Sequence, residues 1–259
     1  MDQPRNFPKV ASDMFFVQGI WASGFLGIML IIQIIKTVMS SINGNEVNTY
    51  FVATFIASNI FMLVIGIISA YGFIPHFVSN GVTRKDYFIG TIFGTIGLAL
   101  SIPIVSAIIT SISKLIINLL NLQVTIGSFE NRVTESDDHI IADLVTSVIF
   151  SPYIELSSSW LLAILVFALN IFTYYVAGWL IGAAFSRLGI IGGILSIIIG
   201  FIVIQTEDIL LSTSLGLNVP SFALTIELPS IVSIMVILII IALCLWIIRQ
   251  LTKRMRVKF

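Results

Sequence analysis

The 259-residue chain is 58% hydrophobic and only 10% charged, and its mean hydropathy is +1.08. A soluble domain carries about 25% charged and about 45–50% apolar residues, so the composition excludes a soluble globular fold. The formal net charge is zero, so overall charge does not favour nucleic acid or any other charged partner. The apolar runs are continuous and do not alternate, which favours membrane-spanning helices over a barrel. We therefore expect an all-α, polytopic integral membrane protein.

Six apolar runs are long enough to cross a bilayer, for which about 20 residues suffice. The third run is the longest and contains Pro103, where a bend is expected. A tight turn at 185–187 separates the fourth run from the fifth. The predicted spans are 17–38, 51–73, 87–119, 159–184, 188–206 and 229–249.

The basic residues predict the orientation, because cytoplasmic loops are enriched in Lys and Arg. With both termini in the cytoplasm, only Lys36, Lys114 and Arg132 of the thirteen Lys and Arg residues fall outside. The polar loop 74–86, after the second span, then faces the cytoplasm.

Two segments on the outer side are longer than simple turns. The segment 120–158 has an acidic part, 130–155, in which Ser136 is placed as a helix N-cap. Its acidic residues either bind a ligand or are a solvated surface. The segment 207–228 is apolar but broken by glycine and proline, so it either dips into the outer edge of the membrane or forms an interfacial loop.

The sequence lacks several kinds of chemistry. His76 and His139 fall on opposite faces of the membrane, so no metal site is expected, and no phosphate-binding G-x-x-x-x-G-K motif occurs. No ionisable residue is predicted at mid-span, which disfavours an ion-coupled carrier. The neutral residues Asn59, Asn170 and Thr173 either form interhelical hydrogen bonds or line a path for a polar substrate. We expect neither an enzyme nor a cofactor bound to this chain.

Small residues spaced four apart allow transmembrane helices to approach closely. Gly178 and Gly182 have this spacing, as do Gly189 and Gly193. We predict that these four glycines pack helices together.

The polar stretch "VSNGVTRKDYFIG", residues 78–90, interrupts two apolar runs. Thr83 is placed to cap a helix and Asp86 to complete a capping box, while Gly81 permits the preceding turn. On this evidence alone, the stretch is either a plain cytoplasmic loop or a defined element that a partner holds.

Residues 79–90 resemble the segment after the second span in ABC transporter permeases of the bacterial type-2 exporter class. The predicted layout of the whole chain is similar to that family as well. The resemblance implies that 1–259 is one permease domain in the bacterial plasma membrane, which forms the translocation path with a second copy or a related permease. ATP and Mg²⁺ would bind to separate ABC ATPase subunits. The residues implied in coupling to these subunits are Phe77, Val78, Asn80, Gly81, Val82, Thr83, Arg84, Lys85, Asp86 and Tyr87, with Ser186 and Arg187 as a second contact.

Two other functional classes stay open. One is an ion-coupled secondary transporter. The other is a membrane sensor or accessory protein whose acidic segment 130–155 binds an extracellular ligand.

Overall fold

The computed structural model describes residues 6–122, 124–126, 159–216 and 229–253. Apart from short connections these residues are helical, and the one β feature among them is an isolated bridge between Val47 and Ile126. The prediction of an all-α fold is confirmed. The helices are α1 (Phe7–Asn43), α2 (Tyr50–Ile68), α3 (Ile74–Ser79), α4 (Arg84–Leu119), α5 (Trp160–Leu215) and α6 (Ser230–Lys253), and a π-helical turn, Ser69–Phe73, joins α2 to α3.

Among the described residues, five helical segments are long and apolar enough to cross a membrane: α1, Tyr50–Ser79 (which combines α2, the π turn and α3), α4, α5 and α6. Their outer surfaces carry large apolar side chains. Ile42, Ile191 and Ile231, for example, are 76%, 86% and 75% exposed. Such surfaces suit lipid and not water, which supports a membrane-embedded fold.

The helix α5 folds back on itself at Gly189, whose φ of 74° and ψ of −160° are not helical. Asn170 Nδ2 lies 3.4 Å from Asp208 Oδ1, although these residues would be about 57 Å apart along a straight helix. Gly200 likewise lies beside Ile181. The halves 160–188 and 190–215 therefore form an antiparallel hairpin.

The prediction of a turn at 185–187 is wrong, because these residues are helical. Ser186 donates to the Gly182 carbonyl, 2.8 Å away, a side-chain bond that leaves the helix intact. The hairpin turns at Gly189, which has a positive φ and was expected to pack two helices together. Glycine adopts this conformation without strain.

The second half of α5 continues to Leu215, so residues 207–215, which we expected beyond the end of a span, extend this helix. The remaining residues of that segment, 217–228, lie outside the described residues. The helix start expected at Ser136 and the acidic segment 130–155 also lie outside them.

Glycines hold α2 tightly against the first half of α5. A Cβ added at Gly178 would meet the backbone of Leu63, and one added at Gly182 would lie 2.7 Å from the Ile67 carbonyl oxygen. Gly193 faces Phe185 inside the hairpin. These three glycines therefore lie at close contacts, where a larger side chain would not fit without a shift of its neighbours.

The helices α1 and α4 form a second close pair, and the two helices run parallel to each other. Gly90 lies against Val10, and four residues further along α4, Gly94 lies against Met14. The helix α4 runs on through Pro103 without ending. Because α1 starts beside Gly90, the beginning of the described chain lies at the same end of the bundle as the loop 80–83.

Candidate functional site

The connection between α3 and α4 is a compact turn. Gly81 has a φ of 82°, and the amide of Val82 donates to the Phe77 carbonyl at 3.0 Å. Thr83 Oγ1 accepts from the amide of Asp86 at 3.1 Å and donates to the Asp86 carboxylate at 2.9 Å. This confirms the predicted N-cap, although Asp86 reaches back to the Thr83 hydroxyl and not to its backbone amide.

Arginine side chains tie this turn to the end of α6 and the hairpin of α5. Arg84 donates to the Lys253 carbonyl at 2.7 Å, and Arg249 donates to the Arg84 carbonyl at 3.0 Å. Arg187 donates to the Gln250 carbonyl at 2.6 Å. These bonds gather the start of α4, the hairpin and the end of α6 at one end of the bundle. We call it the basic end: residues 80–87, 185–189 and 249–253, with the start of α1 beside them.

The residues predicted to contact an ATPase do not all face outward. Tyr87 is only 1% exposed, so its expected role as a direct apolar contact is wrong in this conformation. Arg84 is half-buried and bonded to α6, whereas Lys85 is exposed. The other residues of the predicted set are exposed or half-buried: Phe77, Val78, Asn80, Gly81, Val82, Thr83, Asp86, Ser186 and Arg187.

Buried hydrogen bonds connect this turn to the core. The Tyr87 hydroxyl donates to the Ser69 carbonyl at 2.6 Å, and Ser69 Oγ lies 2.6 Å from the Tyr175 hydroxyl. Gln18 Nε2 donates to both Ser69 Oγ and the Tyr175 hydroxyl, at 3.3 and 3.2 Å. The cluster therefore joins α1, the π turn, α4 and α5. π-helical turns of this kind are frequent at functional sites.

A second polar region lies further along α5. Asn59, Asn170 and Thr173, predicted as a possible substrate path, are all 1% exposed or less. Glu207 and Asp208 are also buried, with 2% and 7% of their surface exposed. These two acids, which the sequence placed in the outer segment 207–228, therefore lie inside the bundle. We call Asn170, Thr173, Glu207 and Asp208 the carboxyl region.

The hairpin of α5 creates the carboxyl region. It brings Asn170 against Asp208, and the Glu207 carboxyl lies near Thr173. The region is about 15 Å along the helix from Trp160 and about 27 Å from Gly189, at 1.5 Å per residue. The distance to Gly189 is almost as long as the hydrocarbon layer of a bilayer is thick, about 30 Å. The carboxyl region therefore lies well away from the basic end.

Sequence reasoning placed Glu207 and Asp208 on the outer side of the membrane, at the start of the segment 207–228 and beyond the end of the fifth span. A signal for the opposite interpretation was present: apolar residues resume at Ile209, and no glycine or proline occurs before Gly216. The burial itself depends on a partner 38 residues away in the chain, which no local pattern reveals.

Within the described ranges no group of three or more His, Cys, Asp or Glu side chains is arranged to hold a metal ion. No known protein family, curated protein or solved structure matches this chain.

Proposed function

We propose that this chain is the membrane subunit of an ATP-driven exporter in a bacterial plasma membrane. It crosses the bilayer six times, with the two halves of α5 as the fourth and fifth crossings. It forms the translocation path with a second permease and is energised by separate ABC ATPase subunits that dock at the basic end. The observation that carries this proposal is the capped, arginine-braced turn 80–87.

The distribution of charge supports a cytoplasmic basic end. Of the eight Lys and Arg residues that the structure describes, only Lys36 and Lys114 lie away from this end. Because Lys and Arg are enriched in cytoplasmic loops, we place the basic end on the cytoplasmic side, together with both chain termini.

Coupling requires that movement of a docked partner reaches the helices. A capped helix start moves as a unit, and the Tyr87–Ser69–Tyr175 hydrogen bonds extend that unit to the π turn and α5. ATP binding would favour one packing of the helices over another by closing the ATPase pair beneath two such turns. Phe77, Val78 and Val82 form the half-buried apolar part of the docking surface.

Copurification tests this proposal. The tagged chain is coexpressed with the ATPase encoded beside its gene, and the retained ATPase and its ATP hydrolysis are measured. We expect Lys85→Glu to lower retention at least tenfold, because Lys85 is exposed at the docking surface. Lys36→Glu makes the same charge change on an exposed residue at the opposite end and is the matched control. Equal retention by the two variants contradicts docking at the basic end.

The carboxyl region favours a second candidate, an ion-coupled carrier, because buried carboxyls commonly serve proton or sodium relays in membrane transporters. The two candidates respond differently to energy supply. In inverted vesicles, transport by the exporter requires ATP and persists after the ion gradients are collapsed with ionophores. Transport by an ion-coupled carrier fails under the same treatment and proceeds without ATP.

A further inference from the structure

The turn of the α5 hairpin, residues 188–191, is apolar and exposed, and we call it the hairpin tip. Leu188, Ile190 and Ile191 flank Gly189 and are 57%, 73% and 86% exposed. Connections that project into water usually carry polar residues, because exposing large apolar side chains to water is unfavourable. The hairpin tip therefore requires an apolar environment, although it lies at the basic end.

The length of the hairpin places its tip among lipid headgroups. The first half, residues 160–188, is about 43 Å long at 1.5 Å per residue. A bilayer with its headgroup regions is about 40–45 Å thick. Trp160, at the other end of this half, is 64% exposed, and tryptophan is enriched at the interfaces between membrane and water. With Trp160 at one interface, the hairpin tip reaches the opposite interface and does not extend far beyond it.

The end of α6 beside the hairpin tip combines apolar and basic groups in the same way. Arg187 donates to the Gln250 carbonyl at 2.6 Å, so the hairpin and the helix end are in contact. Trp246, Gln250 and Lys253 follow at intervals of four and three residues, so they lie on one face of α6, and all three are exposed. Trp246 lies about 10 Å along the helix from Lys253. An aromatic ring at the membrane interface with a cation beyond it, at headgroup level, is the usual order in membrane helices.

The hairpin tip and the end of α6 carry positive charge without an acid of their own. Residues 185–191 and 243–253 contain three basic residues and no Asp or Glu. One of the three, Arg249, is turned inward, since it donates to a backbone carbonyl of α4. A guanidinium carries five N–H donors, so Arg187 has donors left beside the carbonyl that it already bonds. Arg187 and Lys253 therefore favour an anion at this edge of the bundle.

A phospholipid supplies both the anion and the apolar environment. A guanidinium matches the geometry of phosphate oxygens, and an ammonium adds a compact positive charge. We propose that Arg187 and Lys253 bind the phosphate of an anionic phospholipid, whose acyl chains lie against the hairpin tip. An anionic lipid is favoured over a zwitterionic one, because a headgroup ammonium would meet no carboxylate in these segments. The site lies beside the turn 80–87 and does not rest on an ATPase partner.

Lipid titration of the purified full-length chain in detergent, without an ATPase, tests the site. Native mass spectrometry measures the Kd of phosphatidylglycerol and of phosphatidylcholine with the same acyl chains. We expect the wild type to bind phosphatidylglycerol about tenfold more tightly, and Arg187→Gln combined with Lys253→Gln to reduce this preference to about twofold or less. Lys36→Gln combined with Lys114→Gln, the matched control, removes two exposed lysines away from the basic end and should keep the preference.

The absence of a preference in the wild type, or an equal preference in the two double variants, overturns the proposal. If the variant at Arg187 and Lys253 does not fold, a nitroxide label on Ile191→Cys, in a Cys244→Ser background, replaces it in nanodiscs of either lipid. Ile191 is exposed, so the label does not disturb the core. Stronger immobilisation by phosphatidylglycerol than by phosphatidylcholine supports the site, and equal mobility overturns it. Immobilisation only after an ATPase is added assigns the hairpin tip to a protein partner and also overturns the proposal.

Discussion

The basic end and the carboxyl region are both polar, but their polar groups are satisfied in opposite ways. At the basic end, Arg84, Arg187 and Arg249 each donate to a backbone carbonyl, so the charges brace helix ends against one another. In the carboxyl region, the buried Glu207 oxygens accept no hydrogen bond from the described residues. The first arrangement is complete in itself and suits the transmission of force. The second joins the two halves of the α5 hairpin through Asn170 and Asp208.

The sharpest test of this comparison is to determine which side of the membrane each end of the bundle faces. In a Cys244→Ser background, we expect Asn45→Cys to react with a membrane-impermeant maleimide on intact cells. Asn80→Cys should react only after the cells are opened, because it lies at the basic end. Both residues are exposed, so burial does not limit either reaction. Labelling of Asn80→Cys on intact cells would place the basic end outside and contradict the proposed function.

The next largest effect concerns the contact between α2 and α5, which lies between the two regions. Gly178→Ala introduces a methyl group against the Leu63 backbone, and we expect a loss of about 1–3 kcal/mol in the free energy of unfolding. Gly27→Ala is the matched control, because no atom lies within 4 Å of the added Cβ there. Thermal unfolding in detergent measures both. A similar midpoint for the two variants would show that the close contact does not stabilise the fold.

A smaller effect is expected at the turn of the basic end. Gly81 has a positive φ, so Gly81→Val should lower the free energy of unfolding by about 1–2 kcal/mol. Gly81→Asn should cost less, because asparagine tolerates this conformation better than other residues. Nothing lies within 4 Å of a Cβ added at Gly81, so any difference between the variants comes from the backbone and not from a clash. Equal unfolding midpoints for the two variants would contradict this explanation.

The sequence predicted the basic end well because the relevant signals are local. The cap at Thr83 and the turn at Gly81 depend on residues within a few positions of each other, and both are confirmed. The direction of Arg84 toward Lys253 could not be predicted, since the two residues are 169 positions apart. That contact makes Lys85 a cleaner probe of docking than Arg84, because reversing Arg84 would also detach α6.

The carboxyl region was missed for the same reason. Ser186 and Arg187 are polar enough to suggest a turn, yet the helix continues to Gly189, and this shift of a few residues sets the register of the hairpin. The register then decides that Asn170 meets Asp208. Local hydropathy places Glu207 and Asp208 beyond the end of the fifth span, and only the tertiary fold buries them.

The most direct test of the account compares Lys85→Glu with Glu207→Gln in one experiment, in which each variant is copurified with the coexpressed ATPase and the retained ATPase and its ATP hydrolysis are measured. We predict that Lys85→Glu loses the ATPase, whereas Glu207→Gln retains it, because Glu207 lies well away from the basic end. Loss of the ATPase from Glu207→Gln, with full retention by Lys85→Glu, would contradict the division of roles between the two regions.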